Sequence, residues 1–159
     1  MYTSKAQTKL NAKMGLIIVS ILSLFNATIG TIIAVKENLS SVTPLLTTGK
    51  PALEDFLTGN GTALSPPLYL CIVTLVLIIL AFQPKLPGKI GVYGLTILGC
   101  IFLFGELVER NTYHALNPST LNLPVALDVL VEIIIAILMI TFGLLTIIQQ
   151  RQAHHQAVA

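Results

Sequence analysis

The chain has 159 residues, of which 54% are hydrophobic and only 10% charged, with a formal net charge of +2. A soluble domain carries about 25% charged residues, so this composition, with a mean hydropathy of +0.85, argues against an ordinary soluble enzyme or binding module. The small charge and the absence of a basic run argue against nucleic acid as a partner; the expected partner is the lipid bilayer.

The first apolar run, Gly15 to Val35, follows Lys5, Lys9 and Lys13. Those lysines resemble the basic region of a signal peptide. The run is longer than the 7–15 apolar residues of such a leader, and no small-x-small cleavage pattern follows it. A retained span over about 14–35 is therefore expected.

The stretch 36–65 is the longest connection. Its centre, Pro51 to Leu57, has proline at the first position and acids in the first turn, and Gly59-Asn60-Gly61 follows as a terminator, which predicts a short helix. Leu53, Phe56 and Leu57 share one face, so this helix is expected to lie on the membrane surface or cap the bundle. Asn38 and Asn60 both begin a glycosylation sequon, a pattern that also occurs often by chance.

The second run, Leu68 to Phe82, reaches spanning length only with Pro66 and Pro67 at its start, giving a span over about 66–82. Proline suits that position because the first-turn amides of a helix have no internal acceptor. After a loop from Gln83 to Lys89 comes the third span, about 90–108. Gly91, Gly94, Gly99, Gly105, Glu106 and Glu109 fall within one hemisphere of that helix, and small residues let membrane helices approach closely. The fourth span covers about 125–148. Asp128, Glu132, Ala136, Met139, Gly143, Thr146 and Gln150 follow one face at helical spacing, a small and polar stripe expected to point inward.

Lysine and arginine set the orientation. The N-terminal tail, the second loop (Lys85, Lys89) and the C-terminal tail (Arg151) are basic, whereas Lys36, Lys50 and Arg110 are largely balanced by Glu37, Glu54, Asp55 and Glu109. The expected fold is thus an all-α, four-transmembrane-helix bundle forming one domain over residues 1–159, both termini cytoplasmic, with the longer first loop outside. A bacterial plasma membrane is the expected location. Tyr69 and Tyr113 fall at its outer boundary, where interfacial tyrosines anchor spans.

Ionisable residues in a span face the protein interior and are candidates for function. Asn26 and Glu132 both sit ~10–14 Å below the outer surface at 1.5 Å rise per residue, so they can hydrogen-bond across the bundle. Glu106 and Arg110 are four apart and can pair, or Arg110 can reach Asp128. The acids of this region outnumber its bases, so a proton or a bound group is expected to neutralise at least one. Glu132, Asp128, Glu106, Asn26 and Arg110 therefore form the candidate ligand- or ion-binding set. Cys71 and Cys100 have no metal-type spacing, His114 lacks a second histidine, and His154 and His155 read as tail residues, so no metal or cofactor is expected. No nucleophile-with-base pattern appears.

Three functions follow from this reading. The first is a non-enzymatic accessory or ligand- and lipid-binding bundle with an outward-facing polar cavity, alone, as a homo-oligomer or with a larger membrane partner. The second is a small proton- or cation-coupled transporter titrating at Glu132. The third is an intramembrane enzyme acting on a lipid or quinone.

Overall fold

Prolines set where helices begin. The computed structural model describes residues 2–42, 49–109, 117 and 122–158, with side chains from 12 to 152 within these stretches. It contains five helices and no strand among the described residues: α1 (Tyr2–Glu37), α2 (Ala52–Thr58), α3 (Leu68–Phe82), α4 (Lys85–Val108) and α5 (Leu123–Val158). Pro51, Pro67 and Pro84 stand immediately before α2, α3 and α4, where a missing N–H costs nothing. Pro84 also forces the residue before it out of the helical region. Gln83 is accordingly extended (φ −70°, ψ 154°), and α3 and α4 are joined by a turn of two residues.

The expected second loop is therefore largely helix, and α4 begins at Lys85, not near residue 90. At the other end of α3, Pro66 and Pro67 lie outside the helix, leaving it 15 residues long. α1 and α5 run beyond their apolar stretches, so the polar segments 2–13 and 149–158 are helical too. α1, α4 and α5 are long and apolar enough to cross a membrane, while α3 is a shorter apolar helix. This is the make-up of a multi-pass membrane protein.

α5 lies against both α1 and α4, and α4 also packs on α3. Contacts between glycines and their neighbours fix the directions. Gly15 of α1 faces Phe142 and Gly30 faces Asp128, so α1 and α5 are antiparallel. Gly91 of α4 lies against Ala81 of α3, and Gly99 faces Met139 and Ile140 of α5. The α3–α4 turn thus sits at the end from which α1 rises and towards which α5 descends. The described residues 38–42 and 49–66 cover the opposite end.

The interior is closed by Leu16, Ile17, Val92, Leu95, Phe102 and Met139. Above it a second cluster of Ala34, Leu64, Val125 and Val129 joins α1 and α5 to the covering segment. The outward faces carry large exposed apolar side chains, among them Ile18, Phe25, Ile72, Ile79, Ile97, Phe104 and Ile134. Exposed apolar surface on this scale is unusual for a soluble monomer, whereas hydrocarbon solvates it. The stripe predicted on α5 is buried from Asp128 through Glu132, Ala136, Met139 and Gly143 to Thr146.

Candidate functional site

The hairpin of α3 and α4 is tight at its turn and open at its far end. A Cβ on Gly91 would overlap the Ala81 backbone nitrogen, whereas a Cβ on Gly105 would meet nothing within 4 Å. Between the start of α3 and the end of α4 the structure holds a cavity of about 230 Å³. Leu70, Ile101 and Phe102 give it an apolar wall, the segment 60–67 lines another side, and Glu106, Glu109 and Glu132 contribute carboxyl groups.

Local backbone chemistry holds the covering segment in place. The chain leaves α1 through Asn38 with φ 51°, a left-handed conformation that asparagine tolerates well. The Asn38 side-chain oxygen then accepts a hydrogen bond from the Ala52 amide at 3.2 Å. Gly61 has φ 99°, and a Cβ there would come within 2.8 Å of the Pro67 nitrogen; only glycine suits it. The turn lets the Thr62 amide donate to the Ser65 carbonyl, while Ala63 donates to Leu39. Leu53 and Leu57 of α2 stay exposed. Phe56 lines a separate apolar groove of about 370 Å³ between α1 and α3.

Glu132 is buried, with one hydrogen-bond donor on each oxygen. Ser23 Oγ donates to Oε1 at 3.0 Å and Asn26 Nδ2 to Oε2 at 3.2 Å, both from α1. Both donors are neutral. Glu109, also buried, accepts from Ser41 Oγ at 2.8 Å and from the Val42 amide at 2.9 Å, tying the covering segment to the end of α4. Glu106 is half-buried beside it.

Of the candidate set, the structure brings Glu132 and Glu106 to the cavity and joins Asn26 to Glu132 from behind. Asp128, one turn above Glu132, faces Gly30 and does not line the cavity. Arg110 lies outside the described residues, and with it the expected pairings to Glu106 and Asp128; His114 and Tyr113 lie outside them as well. Glu109 was not among the candidates. Its position beside Glu106 on the polar hemisphere of α4 was the available signal, but its partners Ser41 and Val42 come from a loop whose path is not written in hydropathy.

The arrangement is acceptor-rich on one side and apolar on the other, suited to hold a positively charged or hydrogen-donating group. Among the described residues, no three histidine, cysteine or acidic side chains come together as a metal site. Cys71 and Cys100 are free thiols.

No family model, curated protein or solved structure matches the chain. The reading of function rests on the site.

Proposed function

We propose that this chain is a four-span membrane protein, with both termini cytoplasmic, that binds a small organic cation in the cavity between α3 and α4. The observation that carries this reading is the setting of Glu132: a buried carboxyl lining the cavity, held by two neutral donors and facing an apolar wall. A buried charge without a cationic partner is costly, and an ammonium group would offset that cost while its alkyl substituents cover Phe102 and Ile101. The lysines at the α3–α4 turn and the basic ends favour the orientation.

The test is thermal unfolding in detergent with tetramethylammonium and short alkylammonium ions, against neutral and anionic analogues of the same size. The wild type should be stabilised by the cations alone. Glu132→Gln and Gly105→Leu, which remove the charge and fill the cavity, should each abolish that response. A response that survives both changes, or none in the wild type, overturns the reading.

A carrier has less support. Below Glu132 the interior is closed by apolar side chains, and the hydroxyls of Thr96 and Thr146 are bonded to their own helix backbones. Flux of alkylammonium ions into liposomes would reinstate it.

A further inference from the structure

Among the described residues, most buried polar side chains have a hydrogen-bond partner. Ser20, Thr74, Thr96 and Thr146 donate to the backbone one turn earlier in their own helices. Ser23, Asn26 and Glu132 satisfy one another, Ser41 and Glu109 pair, and Asp55 receives the Asn60 amide on one oxygen. Asp55 Oδ2 and Gln149 Oε1 have no partner, and Asp128, only 6% exposed, stands apart because both its oxygens lack one.

Its surroundings explain why no donor reaches it. The facing position on α1 is Gly30, which brings no side chain. A Cβ there would come within 2.9 Å of Asp128 Oδ2 and would overlap the carbonyl oxygen of Leu64. The absent side chain therefore lets two oxygens from separate parts of the chain, a carboxylate from α5 and a carbonyl from the covering segment, converge beside the same α-carbon. Both are acceptors. A carboxylate and a carbonyl oxygen brought together in a buried place repel one another unless a proton on the carboxyl or a cation lies between them.

We infer that Asp128 and the Leu64 carbonyl form a binding site for a small alkali cation such as sodium, separate from the organic-cation cavity. The chemistry selects this class. Hard oxygen donors suit alkali and alkaline-earth ions, and calcium or magnesium sites normally gather more carboxylates than one. A single carboxylate balances a single positive charge. Bound there, the ion ties the start of α5 to the segment over the cavity, so ion binding stabilises the fold.

The experiment is thermal unfolding of the purified wild type in sodium-free buffer with tetramethylammonium chloride kept in saturating excess, so that the organic-cation cavity stays filled throughout, at fixed, mildly alkaline pH and constant ionic strength, titrated with sodium chloride. A saturable upward shift in Tm of several degrees is expected. Asp128→Asn should abolish the shift and, without sodium, unfold at a higher temperature than the wild type, because the amide removes the uncompensated charge. The same variant should keep the alkylammonium response of the cavity, so the two sites succeed or fail separately. If Asp128→Asn does not fold, equilibrium binding of radioactive sodium to the wild type decides: one saturable equivalent supports the site and none overturns it. A wild type whose Tm responds to acid but to no alkali cation overturns it as well, since a proton alone would then neutralise the carboxyl.

Discussion

Each oxygen of Glu132 takes one hydrogen bond from α1, so the contact between the first and last helices includes a polar clamp in an otherwise apolar interface. Hydrogen bonds between membrane helices contribute about 0.6–2 kcal/mol each. Ser23→Ala and Asn26→Ala should each lower stability by roughly that amount in reversible detergent or denaturant unfolding. Neither change should add its full cost in a Glu132→Leu background, because the acceptor is already gone. Full additivity would show that the bonds contribute nothing. This clamp could be read from the chain, since counting residues from the outer ends of two apolar runs puts Asn26 and Glu132 at one depth. The position of Asp128 against Gly30 could not, because a glycine offers no chemistry to count.

At the scale of elements, the α3–α4 hairpin is closed at one end by glycines and open at the other. Gly91→Leu places a large side chain where even a Cβ would overlap the Ala81 backbone. Overpacking of this kind costs about 1–3 kcal/mol, and the splayed hairpin should show it as a lower Tm. Gly105→Ala meets nothing within 4 Å and should stabilise by up to about 1 kcal/mol through helix propensity alone. Equal effects at the two positions would contradict the tapered hairpin. The glycine face of α4 was visible in the sequence, but its division between partners was not. Gly91 and Gly94 serve α3, Gly99 serves α5, and Gly105 is left to the cavity. Spacing shows that small residues share a side, while only packing shows which neighbour each one meets. Helix ends were also harder to read than helix middles. Hydropathy falls away at the polar ends of α1 and α5, yet the backbone continues helical because no proline or glycine interrupts it there.

For the whole molecule, the sequence pattern yields long apolar helices with polar groups turned inward, and the structure has that inverted character: apolar outside, carboxyls inside. The proposed four-span arrangement predicts which surfaces lie on which side of the membrane. In a variant with Cys71 and Cys100 replaced by serine, a single cysteine at Thr58 should react with an impermeant maleimide added outside intact cells. One at Lys89 should react only after permeabilisation. Labelling of both from the same side would show that α3 does not cross the membrane.

The brevity of α3 has a consequence for the surrounding lipid. Its 15 residues give a helix about 22 Å long at 1.5 Å per residue, against a hydrocarbon core about 30 Å thick. A bilayer accommodates such a mismatch by thinning locally. In the proposed four-span arrangement that dimple would form along the exposed face of α3, beside Tyr69 and the mouth of the cavity. Headgroups and water are drawn down there towards carboxyls that would otherwise lie under acyl chains. A ligand dissolved in the interface would then enter sideways from the membrane, and its apparent affinity should rise as the lipids of a reconstituted bilayer are made shorter.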